Sequence, residues 1–470
     1  MLQYVGGTMQ RRARHVSAEN ATPEPEYEPQ RRWAALAALR HRNFRLFWGG
    51  QVISLIGTWM QTVAQGYLVY HLTHSAAMLG VVTTLASLPV LLLTLFGGVL
   101  ADRLPKRRVL VGTQLSAAAL ALILGILVAT GVVQVWHVML LATALGVVNA
   151  IDVPTRQAFV VELVGKRDLL NAIALNSSIF NGARIVGPAV AGLLITSTGL
   201  AAPFLLNAAS YIAVIAGLLA MRLPPFMVEQ NPGPALRRLA SGLRYIRHDA
   251  AVSTILLVMA IAGVLAFNYP ALMPAFAAEE LHQGAEGLGL LYAALGVGAI
   301  AGALTLAAAG HRLPRAHLFW VGAVLFCALQ IVFSFTPTLP AAMAALAVMG
   351  LFMILFTAGA NTLVQTLVPD DLRGRVMGVY TLVFLGSTPI GSLLAGLVAG
   401  RLHSVPLALA GGSALSLLAI AVVWWRRPMA RTLVGPGDED RGRVADPARQ
   451  REQGMAEASR GAPSRSLAAR

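Results

Sequence analysis

Charge is what this sequence has least of. Only 12% of its 470 residues are Asp, Glu, Lys or Arg, and 56% are hydrophobic; a soluble domain carries about 25% charged residues. An outer surface that poor in charge suits lipid rather than water. Cysteine is nearly absent too. The lone Cys327 sits in an apolar run, which excludes an intrachain disulfide and a Cys-based metal site, and it reads as a small buried hydrophobe. Lysine is reduced to Lys106 and Lys166. Residues 1–43 lack the apolar stretch of a signal peptide and read as a polar, Arg-rich disordered tail. Residues 428–470 read as a second one. No Walker-type loop, His/Asp metal cluster or nucleophile constellation is present, which argues against an ATP-driven pump and an enzyme and predicts neither metal nor cofactor.

What is present is a series of long runs without Asp, Glu, Lys or Arg. They cover 46–101, 109–151, 169–221 (interrupted only by Arg184), 250–278, 287–311, 316–369, 376–400 and 402–425. At about 20 apolar residues per crossing, these hold twelve membrane-spanning helices. Barrel strands would alternate in polarity, and these runs do not. The formal net charge of +15 lies between and beyond the runs, so anionic lipid rather than nucleic acid is the expected partner. With the N-terminus inside, the inner loops hold sixteen basic residues, Arg103 to Arg108, Arg156 and Arg373 to Arg375 among them, against Arg401 outside. The positive-inside rule then puts both termini in the cytoplasm.

The chain divides as a 1–43 tail, a six-helix half at 44–222, a cytoplasmic linker at 223–250, a second six-helix half at 251–427 and a 428–470 tail. In the linker, Leu236, Leu239, Leu243 and Ile246 recur at helical spacing among arginines, which predicts a surface-lying amphipathic helix. The halves repeat. A shift of 204 lays Gly182, Gly187 and Gly192 on Gly386, Gly391 and Gly396. A shift of 209 lays Gly80 on Gly289 and the Arg103-Leu104-Pro105-Lys106 run on Arg312-Leu313-Pro314-Arg315. Six spans separate the copies, so the repeat is parallel, with a cavity expected between halves that rock about it.

The segment Gly98 to Arg108, with Asp102, Arg103, Lys106 and Arg107, resembles the signature loop of the major facilitator superfamily; Pro105 stands where that pattern has a second glycine. Gly182 to Gly192, with Gly187-Pro188, resembles the superfamily's antiporter-associated motif. Pro154 with Arg156-Gln157-Ala158, and Val368 through Arg373, Arg375 and Val376, resemble one bacterial branch, the enterobactin exporter and transmembrane secretion effectors. The resemblance covers roughly residues 40–427. It implies an all-α, twelve-helix carrier of the bacterial inner membrane. It further implies a monomer that exports drugs, siderophores or other small amphipathic molecules against protons. Uptake by the same fold, or a receptor or scaffold that transports nothing, are the alternatives.

Residue roles follow as expectations. Asp102 and its neighbouring arginines form a cytoplasmic latch, with Arg156 as the expected partner or the amino end of the eleventh helix as another. Ser54, Thr58, Gln61 and Gln65 share one face of the first span, where lipid exposure is unfavourable, and are expected in the cavity. Asn149, Asn268, Tyr269, Asn361 and Gln365 are weaker cavity candidates. Arg184 is the one full charge deep in a span, roughly 21 Å from its cytoplasmic end at 1.5 Å per residue, and an intramembrane charge points to function. No acid sits at mid-membrane. Asp152, placed about 8 Å deep on the same rise, is the first candidate proton carrier and Glu279 the second.

Overall fold

The computed structural model describes residues 34–223, 235–309 and 315–427. Residues 1–33 and 428–470, the proline-rich start of the linker and the Arg312–Pro314 part of the repeat lie outside the described residues.

A short 3-10 segment, Ala34–Arg40, leads into α1 (Arg42–Thr73), so order begins within the stretch expected as tail. There follow α2 (Ala76–Arg103), α3 (Lys106–Ala129), α4 (Val135–Gly165), α5 (Arg167–Thr198) and α6 (Ala202–Ala220). The linker helix α7 (Ala235–His248) precedes α8 (Ala250–Leu265), α9 (Tyr269–Glu279), α10 (Ala285–Ala309), α11 (Arg315–Ser334), α12 (Leu339–Leu367), α13 (Asp370–Leu402) and α14 (Val405–Arg426).

Eleven crossings, with α8 and α9 taken together, are long and apolar enough for a membrane. α1 is the twelfth at 32 residues, less apolar because Gln51, Gln61 and Gln65 lie along it. Helices satisfy their own backbone groups, which lipid cannot do. Leu170, Phe96 and Trp425 are 83, 71 and 70% exposed. Apolar surface on that scale is tolerable only against acyl chains.

Two breaks position the site. α4 and α5 meet with no loop between them, at Gly165, whose φ of 67° is open to glycine at little cost. The seventh crossing is not one helix. It stops at Leu265 and restarts at Tyr269, since Pro270 cannot donate to Ala266 and its ring crowds that carbonyl. Pro89, Pro154, Pro188 and Pro389 all sit inside helices that continue. The linker helix packs against the membrane domain: Ile246 is buried, and Gly242 faces the Arg375 carbonyl so closely that a Cβ would stand 2.7 Å from it. The Leu236 and Leu239 side chains lie outside the described residues.

Candidate functional site

The repeat in the sequence becomes a repeat in the packing. A Cβ on Gly396 would lie 2.8 Å from the Cα of Gly80, so α13 and α2 touch backbone to backbone. A Cβ on Gly289 would lie 2.6 Å from the Pro188 carbonyl and 3.4 Å from the Cα of Gly192, so α10 and α5 touch the same way. Gly187 faces α1 at Ile56, Trp59 and Met60, while its shifted counterpart Gly391 faces the seventh crossing at Val264 and Asn268. The exception is Gly182, which faces open space, whereas Gly386 meets Leu91. Only residues without side chains allow such approaches.

Both seams lie toward the end of the bundle away from the α2–α3 loop. There Thr84 donates to the Pro389 carbonyl at 2.9 Å, and Tyr70 Oη donates across the halves to Glu279 Oε1 at 2.9 Å. Toward the Arg-rich end α2 and α13 diverge. A cavity of about 480 Å³ opens between them, running from Val90 to Asp102 on one wall and from Asp371 to Leu385 on the other. Gly98, Asp102 and Arg375 line it. The halves are thus closed at one end and parted at the other.

The expected contact between Asp102 and Arg156 does not form. Arg156 sits one turn after Asp152 on α4 and pairs with it. Asp102 has no ion pair among the described residues. Arg103 is exposed, Lys106 pairs with Glu162 of α4, and Arg107 donates to the Leu219 and Met221 carbonyls at the end of α6 at 2.8 and 3.3 Å. Arg373 holds Asp370 and donates to the Gln365 carbonyl at 2.9 Å.

Asp152 does not sit near the end of its helix. α4 continues thirteen residues past it to Gly165, roughly 20 Å at the helical rise. Its carboxylate is 1% exposed and also accepts from Thr113 Oγ1 at 2.7 Å and Gln114 Nε2 at 2.8 Å. Arg156 donates to Gln51 Oε1 at 3.0 Å as well, tying α1, α3 and α4 together. A buried charge needs such a set of partners.

A second cavity of about 280 Å³ lies between the halves near the closed end, walled by α1, α2, α4 and α6 on one side and by α9 and α10 on the other. Thr58, Gln61 and Gln65 line it from α1, with Trp59, and Asn149 lines it from α4. Gln61 accepts from Asn207 at 2.6 Å. Ser54 is buried outside that lining, its carbonyl accepting from Thr58 Oγ1. Asn361 accepts from Gln365 on α12, away from this cavity. Asn268 is buried at the α8–α9 break, donates to the Val264 carbonyl, and leaves its own Oδ1 without a partner.

Arg184 stands beside this cavity. Its guanidinium carbon lies 5.7 Å from the centre of the Trp59 ring, which meets Phe180 edge-on at 5.5 Å. It donates to Tyr269 Oη at 3.3 Å and reaches Met353 Sδ at 3.8 Å; the Tyr269 hydroxyl donates onward to the same sulfur at 3.2 Å. Among the described residues no carboxylate pairs with it. Tyr269, a weaker cavity candidate in the sequence, is thus brought to Arg184, whereas nothing in the sequence marked Met353.

Two six-helix halves packed through paired glycine seams around a central cavity define a major facilitator carrier, a multi-pass membrane protein. The chain belongs to the transmembrane secretion effector family of that superfamily, whose model matches residues 33–433. It is 29% identical over 399 residues to the multidrug efflux pump Tap of Mycobacterium tuberculosis, covering 81% of this chain and 92% of that protein. It is 27% identical over 391 residues to the enterobactin exporter EntS of Escherichia coli, covering 82% and 91%. It is 25% identical over 360 residues to the staphyloferrin A transporter of Staphylococcus aureus, covering 76% and 89%. Among solved structures, the nucleoside transporter NupG superposes with a TM-score of 0.64 at 13% identity, covering 85% of this chain and 100% of that one. A bacterial homolog of the lysosomal transporter Spinster, inward-facing and unoccupied, gives 0.62 at 14% identity, covering 87% and 100%.

Proposed function

We propose that this protein is a secondary active exporter of small amphipathic molecules, drugs or siderophores among them, in the inner membrane of a bacterium. It works by rocking its halves between two states, and protons moving inward drive it. The observation that carries this reading is the pair of pseudo-symmetric seams, Gly80 on Gly396 and Gly289 on Pro188 and Gly192, closed at one end while α2 and α13 part at the other. Two equivalent zippers around one cavity suit a carrier that exposes its site to each side in turn. The Arg-rich end is cytoplasmic by the positive-inside rule, with both termini there, so the present state faces inward. The relatives named as a multidrug efflux pump and an enterobactin exporter support the outward direction.

Asp102 is the latch residue, waiting in this state without an ion pair while its counterpart helix α13 stands across the cavity. Asp152, the buried carboxylate among the described residues, is the proton carrier, and Arg156 is the partner it exchanges for the proton. Glu279 and Tyr70 hold the outer end shut. The protein acts as a monomer, since one chain encloses the whole cavity.

The test is efflux of a panel of fluorescent dyes and iron chelators from cells that express or lack the chain, with and without a protonophore. Expression is expected to lower retention, and the protonophore to abolish the difference. Equal retention in every condition would sink the exporter reading, and faster accumulation on expression would replace it with uptake.

A further inference from the structure

We infer that the central site selects organic anions, with Arg184 as the residue that contacts the negative group and Trp59 with Phe180 as the wall for its apolar or aromatic body. The inference rests on the export reading for its direction but not for its binding site.

The charge balance of the membrane-embedded region carries it. Asp152 is neutralised by Arg156 and by two neutral donors, so that cluster presents no net charge to cargo. Glu279 is exposed at the closed end and engaged by Tyr70. The lining of the cavity between the halves holds no charged side chain, and its polar groups, Gln61, Gln65, Asn149 and Tyr292 among them, are neutral. What is left is the guanidinium of Arg184, about midway along α5, with five N–H donors and only a phenol oxygen and a thioether as neighbours that accept. Neither compensates a full charge, and a half-buried cation deep in a crossing is costly to leave unpaired and is a ready partner for a negative group.

The fold does not demand this arginine. The shift of 204 that superimposes the seam glycines places Arg184 on Thr388 of α13. The same helix position in the other half therefore serves with a neutral side chain. Nor does ordinary packing explain the neighbours. Trp59 takes the guanidinium against its face, a cation–π contact that keeps the fork of N–H groups in plane and free to form two parallel bonds to a carboxylate, sulfonate or phenolate. Phe180, one turn before Arg184 on α5, meets Trp59 at a steep angle and is itself 47% exposed, which extends the apolar wall. The break between α8 and α9 brings Tyr269 to the same level, in keeping with carrier sites formed where a crossing is interrupted.

A cationic cargo meets the opposite conditions. It would find no carboxylate in the lining of this inner cavity, Asp102 and Asp371 lying instead in the open cavity between α2 and α13, and a fixed positive charge beside it.

The test is isothermal titration of the full chain, purified in detergent micelles, with 2-naphthoate and with 2-naphthamide. These share shape and differ in charge. A charge-assisted hydrogen bond lost or gained corresponds to about a ten- to hundredfold change in affinity. The wild-type chain is expected to prefer the naphthoate by that factor, Arg184→Lys to keep part of the preference, and Arg184→Gln to remove it while amide binding persists. Equal affinity in the wild type, tighter amide binding, binding of neither, or equal loss of both in Arg184→Gln would overturn the inference. The wild-type comparison stands even if a variant does not fold. In cells, carboxyfluorescein is expected to be exported in preference to ethidium, and the reverse preference counts against the inference. A chain that keeps its naphthoate preference but moves no dye would defeat the export reading and leave the anion site in place.

Discussion

Gly396→Ala is the smallest change that asks whether the seams set the state of the carrier. The added methyl group would stand 2.8 Å from the Cα of Gly80, 3.0 Å from the Ala76 carbonyl oxygen and 3.1 Å from the Gly80 nitrogen. All three are backbone atoms, so no side chain can swing aside. Restoring an ordinary carbon contact of roughly 3.5 Å means moving α2 and α13 about 0.7 Å apart. Overpacking of this kind costs about 1–3 kcal/mol. If the rocked state no longer holds this contact, the cost falls on one state alone and shifts the two populations by about five- to 150-fold. Spin labels at Val132→Cys and Thr338→Cys report it. Both positions are exposed, one in each half, beside the closed end, and Cys327 is fully buried and does not take a label. Double electron–electron resonance is expected to show the longer distance gaining population in Gly396→Ala. Gly411→Ala is the control, because nothing lies within 4 Å of a Cβ there. An unchanged distribution in Gly396→Ala, or the same change in the control, refutes the reasoning.

Asp152→Asn leaves the Arg156 guanidinium without its carboxylate in a buried setting. A cost of about 3 kcal/mol is expected, at the lower end for broken buried pairs because Arg156 keeps Gln51 and some solvent contact; a melting temperature in detergent equal to that of the parent would refute it. Asp102→Asn should behave in the opposite way. Asp102 holds no ion pair in this state, so the melting temperature is expected to stay within the spread of surface substitutions while efflux falls. Unimpaired efflux removes the latch.

The crossings were legible because an absence of charge over twenty residues is hard to produce otherwise, and even α1 showed itself this way despite its glutamines. The parallel repeat was legible because glycines at backbone contacts tolerate little replacement. The break at Ala266–Asn268 was not, because proline in a membrane helix does not announce its effect: five others, Pro89, Pro154, Pro188, Pro274 and Pro389, pass within continuous helices. The Asp152–Arg156 pair was written in the sequence as an i, i+4 spacing. The signature loop drew attention to Asp102 instead, which belongs to an end of the molecule that stands open here. The side chains Thr58, Gln61 and Gln65 could be placed together by helical spacing alone. That Tyr269 and Met353 would meet Arg184 could not, since contacts across halves depend on how the bundle is rocked.

The joint at Gly165 carries a consequence for how force moves through the molecule. α4 holds the Asp152–Arg156 pair, and α5 holds Arg184 and one face of a seam. With no loop between them there is no slack. One residue's two torsions, φ 67° and ψ 178°, are the joint between these rods. A tilt of α5 at the seam must either twist that joint or drag the ion pair with it, and so a single glycine acts as the crankpin between cargo site and buried carboxylate.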